Sequence, residues 1–441
     1  MRAAHKSRER RNVLRDLGDG LILRRATADD AEALAEFNQA VHGEDIDVWV
    51  GDLMAGRHPA VKARDFTIVE DTRASKIVSS LCLMSQTWSY GGIQFKVGQP
   101  EAVGTHPDYR RRGLVRAQFE VVHAWSARRR DSVQVILGRP WFYRQFDYEM
   151  AVEECGARSG HRSRVPKLKK GEREPYRLRR AREADLPFIV RTHDEGMKRY
   201  LVTCVRRRVH WRYELNDGGQ RKSARRDLCV IETLNGKPVG YLVHSSRLRG
   251  GSIDVSSYEL KPGVSWLAVT PSVMRYLCRT GAEYAERDKT QMEWFRFWLG
   301  AGHPAFEVIP DYLLRTHDPY AYYVRVPDLP GFLQLIAPVL ERRLAESPLV
   351  GHTGVLKLDF YRRGLRLAFD KGKLTGADAI TDTEGASAAF PYLTFLQLLF
   401  GYRSLDELKH SYADCRAHSN EANVLLQVLF PKQPSRVWPI E

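Results

Sequence analysis

Apolar positions along the 441-residue chain alternate between a two-residue and a helical rhythm. LILRRAT, from Leu21, reads as a strand. Asp29 and Asp30 then open a helical pattern with Leu34 and Phe37 on one face, acidic where the helix dipole favours it. A second helical stretch runs from about Ile46 to Met54, followed by a short β run around Phe66 to Val69. KIVSSLCLMSQTWS and IQFKVGQPEAVGT are longer β runs, and the Gly91-Gly92 pair between them signals a hairpin. The polar loop HPDYRRRGL feeds a helix with Val115, Phe119 and Val122 on one face. SVQVILG predicts a buried strand, and WFYRQFDYEMAVEE a turn into another.

Residues 156–175 are basic and punctuated by Gly and Pro, and read as a linker. At Tyr176 the opening phrase returns: YRLRRAREADLPFIV echoes LILRRATADDAEALA, an internal repeat at domain scale. A hairpin turning at Asn235-Gly236, a strand–helix pair and the strand MEWFRFWLG follow. Beyond a boundary near Arg325 to Asp328, PGFLQLIAPVLERRLAES predicts one helix. Three antiparallel strands and late apolar helices then predict a separate α+β unit. The expected organisation is a basic lead-in (1–20), an α/β domain (21–155), a linker (156–175), its repeat (176–326) and the α+β unit (327–441).

Composition narrows the class. Hydrophobic residues make up 43% and charged residues 28%, with mean hydropathy −0.42, so wholesale disorder and collagen-like chains are excluded. No run of about 18 apolar residues exists, so no membrane span is expected. The N-terminus is basic without an apolar core, which reads as a cytoplasmic protein rather than a secreted one. Lys and Arg number 69 against 54 Asp and Glu, a formal charge of +15. That charge is either a solvated cationic surface or a match for nucleic acid, an anionic membrane or a phosphorylated cofactor. No helix-turn-helix, RNP or zinc signature is present, so no specific nucleic-acid partner is expected. The six cysteines form no CxxC pair and no His cluster has ligand spacing, so neither a metal site nor a disulfide scaffold is expected.

The segment richest in chemistry is HPDYRRRGLVRAQFE, between a β run and a helix. Arg110, Gly113 and Val115 have the spacing R-x-x-G-x-(small). A tight loop at a helix start aims several backbone N–H groups one way, which favours a pyrophosphate. Arg110, Arg111 and Arg112 add charge, and Gly113 lets the backbone approach the phosphate without a Cβ in the way. The alternative is an exposed basic turn. Downstream, after the strand from Val133, comes FYRQFDYE (Phe142 to Glu149).

With these two segments the chain resembles the GNAT superfamily of acetyl-CoA-dependent N-acetyltransferases. RRRGLVRA is similar to their cofactor loop and FYRQFDYE to their FYRRFGYE-type segment, with Val115 where Gly or Ala is commoner and Asp147 in place of Gly. The whole organisation resembles the Eis (enhanced intracellular survival) type: a GNAT domain, a second, degenerate GNAT-like domain and a sterol carrier protein-like tail.

The resemblance implies acetyl-CoA as co-substrate. Val103, Gly104 and Thr105 would pair with its pantetheine arm, and Arg110 to Val115, Leu114 included, would hold its phosphates. Tyr143 falls at the position of the catalytic acid. The base in that group is the C-terminal carboxylate, here the main-chain group of Glu441 where Phe is usual. The implied acceptor is a polyamine-like, aminoglycoside-like or lysine amine, and the implied assembly a homo-hexamer.

Other residues carry two readings. Glu101 is a relay or a plain strand carboxylate. Glu44, Asp45 and Asp47 hold a cationic amine or form a solvated helix start. Trp49, Trp88 and Trp141 line an acceptor pocket or fill the core. In the second repeat, GVSWLAVTPSVMRYL has no R-x-x-G loop, which predicts a scaffold without cofactor. The competing functional reading is a non-catalytic acyl-CoA or lipid-binding protein.

Overall fold

The computed structural model describes residues 13–43, 46–216 and 226–437. The N-terminal part forms β1 (Val13–Gly18), β2 (Leu21–Arg25), α1 (Ala31–His42), α2 (Ile46–Met54), β3 (Phe66–Asp71), β4 (Lys76–Tyr90), β5 (Ile93–Thr105), α3 (Leu114–Arg129), β6 (Val133–Ile136) and β7 (Glu149–Glu154). The middle part forms β8 (Ala157–His161), β9 (Tyr176–Arg180), α4 (Leu186–Met197), β10 (Val202–Cys204), α5 (Arg208–Asn216), β11 (Arg226–Thr233), β12 (Pro238–Ser245) and β13 (Ser252–Leu260). It continues through α6 (Trp266–Arg287), β14 (Trp294–Phe297), α7 (Pro304–Val308), β15 (Arg315–His317) and β16 (Tyr320–Arg325).

Two sheets of GNAT-like mixed topology result. The first runs β1-β2-β3-β4-β5-β6-β16-β7, with β10 paired to the end of β4; the second runs β15-β8-β14-β13-β12-β11-β9. In each, antiparallel strands lead to one parallel pair, β5 with β6 and β13 with β14, joined by the crossover helices α3 and α6.

The internal repeat is visible atom by atom. Arg24 grips Asp30 with two N–H donors at 2.9 and 2.6 Å and reaches Glu70 on the next strand at 2.7 Å. Arg179 grips Asp185 at 2.7 and 2.8 Å and reaches Glu232 at 2.8 Å. The repeated Arg-Arg-Ala phrase is therefore a clamp from strand to helix start, built twice. Bidentate geometry and partial burial make such pairs stronger than ordinary surface ion pairs.

The two halves exchange strands. β16, from the end of the second repeat, lies between β6 and β7 of the first sheet, antiparallel to both. β8, directly after β7, lies between β14 and β15 of the second. The crossings are Cys155-Gly156 and Asp318-Pro319, and they touch: a Cβ on Gly156 would sit 3.1 Å from both the His317 carbonyl and Pro319. Ala321, Tyr322, Tyr323 and Val324 of β16 are all buried.

The C-terminal part holds helices α8 (Leu329–Leu335), α9 (Ala337–Ala345), α10 (Phe395–Leu399), α11 (Leu405–Ser411) and α12 (Asn420–Leu429). Its strands are β17 (Gly354–Asp359), β18 (Gly364–Asp370), β19 (Lys373–Ile380), β20 (Ala388–Ala389) and β21 (Arg416–Ala417), in the order β19-β18-β17-β20-β21. Its core is continuous with the first sheet through Trp88, Tyr90, Phe95 and Val135. Tyr90 donates to the Leu399 carbonyl at 2.7 Å. Among the described residues, no helix is long and apolar enough to cross a membrane.

Three local expectations change. Val13–Gly18, in the basic lead-in, is an edge strand whose side chains are mostly exposed, so it carries no hydrophobic period. Ala157–His161, in the stretch read as a linker, is the exchanged strand β8. Its polar, small residues gave no β signal, and Gly160 is required because a Cβ there would collide with the Phe295 ring. The single helix expected after Pro330 is two, broken at Ile336 ahead of Pro338, whose ring cannot continue the hydrogen-bond ladder.

A fragment of residues 1–155 lacks β16, so β6 and β7 lose their shared partner. Each buried large side chain of β16 contributes about 1.5–3 kcal/mol. We expect this fragment to show no cooperative thermal transition by circular dichroism. A cooperative melt with full strand signal would show the exchange to be dispensable.

Candidate functional site

β5 and β6 pair at only two positions, Val97 with Val133 and Gly98 with Gln134, and then part. The divergence leaves a cleft of about 810 Å³. Residues 101–105 of β5 form one wall, and Ile136 to Arg139 with Phe142, Tyr143 and Phe146 the other. The loop before α3 closes one end, and Val41, His42, Ile46 and Trp49 of α1 and α2 close a side.

The β5 wall is bent by a bulge. Ser80 pairs with Gly104 and Cys82 with Glu101, so Ala102 and Val103 oppose the single Leu81, and Ala102 has φ +51°. Buried Ser79 and Ser80 donate to the carbonyls of Gly104 and Ala102 at 2.8 and 3.0 Å, which holds the bulge. At Gly104 a Cβ would lie 2.9 Å from His42 Nε2 and 3.0 Å from Val41, so glycine is what lets α1 close on the strand. Burial, and then the Arg139 charge, push the His42 imidazole below its ordinary pKa.

The basic loop turns twice through left-handed backbone, at Arg111 (φ +64°) and at Gly113 (φ +75°), the residue before α3. Space is open around Gly113, so its conformation alone calls for glycine in this state. Tyr109 ties the loop to β3 by donating to Asp71 at 2.7 Å. Arg110, Arg111, Gly113, Leu114 and Val115 line the cleft with Val103, Gly104 and Thr105. Arg112 is not part of that lining: its guanidinium stacks 4.9 Å from the Tyr109 ring centre and donates to the Asp108 carbonyl. A helix start flanked by two cleft-lining arginines presents the charge and the N–H donors that favour an anion.

Tyr143 sits on a single 3-10 turn, Phe142–Phe146, and is 7% exposed. Its ring packs against Phe119, Phe142, Tyr148 and Tyr323. A Cβ on Gly138 would lie 3.0 Å from its hydroxyl. Burial, and secondarily the Glu101 charge, hold the phenol well above its ordinary pKa, so it stays protonated through the neutral range. Glu101 accepts from Gln99 at 2.6 Å; Gln99 in turn accepts from Gln86, which also accepts from Trp88 at 2.8 Å.

The wall that carries Tyr143 is held by distant segments. Tyr320 donates to the Gly138 carbonyl at 2.7 Å, and the Tyr323 hydroxyl accepts from the Trp141 N–H at 2.6 Å. Trp141 is itself left-handed (φ +66°) and is covered by Arg144 at 4.0 Å, which pairs with Glu149 at 2.6 Å. Tyr392, from the C-terminal part, donates to Asp147. Nothing in the YAYYV run of Tyr320 and Tyr323, or in the FPYLTF of Tyr392, marks which distant loop these side chains will meet.

Of the three tryptophans, Trp49 lines the cleft, Trp88 is core and Trp141 is 72% exposed. Asp47 is half-buried in the first turn of α2, while Glu44, Asp45 and Glu441 lie outside the described residues. The chain is pinned up to Val437, which is buried; Arg436 N–H donates to the Val202 carbonyl at 2.8 Å.

Among the described residues, the parallel pair of the second sheet is closed further along its length. β13 and β14 pair over four positions, and His303 bonds the Tyr258 carbonyl at 2.9 Å. The rings of Tyr258, Trp266 and His303 fill the wedge.

Residues 23–151 match the model of the acetyltransferase (GNAT) domain family. No curated protein matches in sequence. Solved structures share the fold across nearly the whole chain. A GCN5-related N-acetyltransferase from Anabaena variabilis aligns with TM-score 0.67 and 13% identity, covering 95% of this chain and 99% of that one. An Enterococcus faecalis protein described as a probable N-acyltransferase gives TM-score 0.66 and 14% identity, covering 94% and 98%. Eis1 from Mycobacterium abscessus gives 0.57 and 13%, covering 94% and 99%. The GNAT fold family takes its acyl group from an acyl-CoA, and the cleft described above lies within or beside the matched residues. Residues 23–151 thus form an acetyltransferase domain of the GNAT fold, and the protein is an acetyltransferase.

Proposed function

We propose that the protein is an N-acetyltransferase that moves an acetyl group from acetyl-CoA to a primary amine by direct attack in a ternary complex. The observation that carries this reading is the meeting, in one cleft, of the cationic loop, the bulged edge of β5 and the Tyr143 hydroxyl. The co-substrate fits these residues: Arg110, Arg111 and the start of α3 for the pyrophosphate, and Val103 to Thr105 for the amide-bearing arm, as a strand edge accepts an added strand. It supplies an activated thioester. The acceptor is a polyamine-like, aminoglycoside-like or lysine amine.

In the reaction the amine nitrogen bonds to the acyl carbon, the C–S bond breaks and one proton leaves the nitrogen. Tyr143 donates its O–H to the departing sulfur. Its raised pKa makes full proton transfer uphill, so much of its contribution is hydrogen-bond stabilisation of the developing thiolate. The amine proton goes to a carboxylate, Glu101 in the cleft or the chain-terminal group of Glu441. Residues 327–441 are read as a sterol carrier protein-like unit following the two GNAT-like domains. The likeness in fold to Eis1 over most of both chains supports this organisation.

Three outcomes follow. Gly113→Asp forces a side chain into left-handed backbone and puts a negative charge at the start of α3. Calorimetric titration of acetyl-CoA is expected to show saturable binding to wild type, weakened at least about tenfold by the substitution. Equal binding would remove the phosphate role from this loop.

Tyr143→Phe is expected to lower kcat by about a hundredfold, with acetyl-CoA affinity within twofold of wild type. In wild type, kcat should show no loss from Tyr143 ionisation up to about pH 10, the ordinary tyrosine value, because the raised pKa keeps the acid form. Undiminished turnover in the variant would support the non-catalytic alternative for Tyr143.

Tyr323→Phe removes the acceptor of the Trp141 N–H while keeping the ring. A positioning role predicts a kcat about tenfold lower, an unchanged KM for acetyl-CoA and an unchanged melting temperature. A fall in melting temperature with normal kcat would make Tyr323 merely structural.

A further inference from the structure

A second pocket, of about 470 Å³, opens at the far end of α3 from the Arg110–Gly113 loop. The 16 helical residues between them span about 24 Å at 1.5 Å per residue. Its walls carry five cations and one carboxylate: Arg25 from the end of β2, Lys62, Arg64 and Asp65 from the segment before β3, and Arg128 and Arg129 from the last turn of α3.

Asp65 is already engaged. It accepts from Arg129 at 2.7 Å and from the Lys62 backbone N–H at 2.9 Å. Arg129 also donates to the Leu83 carbonyl and to Ser85, both at 3.0 Å. Among the described residues, Arg25, Lys62, Arg64 and Arg128 have no ion-pair partner.

Arginines in the last turn of a helix complement its dipole, and that accounts for Arg128 and Arg129. It does not account for three further cations brought to the same hollow by other elements. Arg25 is the telling one. Its guanidinium lies 4.2 Å from the Trp125 ring centre, on the buried indole, and its Nε is buried with no hydrogen bond. Burial, then the charges of Arg128 and Arg129, push this guanidinium below its ordinary pKa. Like charges gathered around a partly desolvated member are unfavourable until a counter-charge arrives. Guanidinium groups present paired N–H donors that match phosphate oxygens better than a lone carboxylate's geometry requires.

We propose that this pocket is a binding site for a multiply charged phosphate group, as inorganic pyrophosphate or on a small phosphorylated molecule, separate from the acyl-transfer cleft. The site stands whether or not the N-acetyltransferase reading holds, because it shares no lining residue with that cleft.

The test is calorimetric titration of inorganic pyrophosphate, at about 0.15 M salt to screen weak surface binding, into three full-length proteins: wild type, Gly113→Asp and the double variant Arg64→Ser/Arg128→Ser. Arg64 and Arg128 are exposed, so their replacement leaves the core intact. Saturable binding is expected in wild type and retained in Gly113→Asp, and in the double variant the component that survives Gly113→Asp is weakened at least tenfold. Binding lost in Gly113→Asp and untouched in the double variant would put the anion at the other end of α3 and overturn the proposal. So would absence of saturable binding in wild type. A parallel arm uses duplex DNA and vesicles containing phosphatidylserine. Binding of either one that depends on Arg64 and Arg128, without pyrophosphate binding, would overturn the small-anion assignment in favour of a macromolecular surface.

Discussion

The exchange of β8 and β16 between two sheets is the constraint on which the rest depends. Each crossing is made in two residues, Cys155-Gly156 and Asp318-Pro319, and the two crossings pack on each other through Gly156. So short a crossing leaves no slack: each sheet is fixed to the other at the point where its own last strands diverge. The cleft wall beyond β6 therefore rests on a strand from some 180 positions further along the chain, through Tyr323 to Trp141 and Tyr320 to Gly138. A positive-φ tryptophan in an exposed loop is costly to hold, and these hydrogen bonds help hold it.

The same architecture built twice shows what makes one copy a site. Both copies keep the strand-to-helix clamp of Arg24 or Arg179, since that clamp serves folding. They differ at the parallel pair. In the first, pairing stops after Gly98, where a Cβ would lie 2.7 Å from Asp131, and the strands part around small residues at Gly104 and Gly138. In the second, pairing runs twice as far and three aromatic rings occupy the opening. An open wedge forgoes the burial that the filled one enjoys, so filling favours stability while opening leaves room for a ligand.

Much of the positive charge is spent on structure. Arg24, Arg179, Arg199 and Arg275 each neutralise a carboxylate in the body of the protein. The charge that remains unpaired around α3 gathers at its two ends. At the N-terminal end the dipole and Arg110 and Arg111 act together on an anion. At the C-terminal end the dipole opposes an anion, and more cations from more elements outweigh it.

The elements with a strong period were legible from the chain alone: the helices α1, α2 and α3, the long β4–β5 hairpin turning at Gly91-Gly92, and the repeat at Tyr176. So was the chemical character of the Arg110 to Val115 loop, because left-handed glycine before a helix is a local property of residue type and order. Strands β1 and β8 were hidden, since pairing at an edge or between two foreign strands uses backbone and asks nothing of side-chain period. Arg112 was grouped with its neighbours by adjacency, yet its side chain leaves the cleft for Tyr109, a choice made by the turn of the loop. Local order along the chain thus determined the propensities, the turns and the charge of each segment. Only the tertiary structure decided which strands share a sheet, which wedge stays open and which tyrosines brace Tyr143. Those outcomes depend on contacts between residues far apart in sequence, and no local pattern encodes the identity of a distant partner.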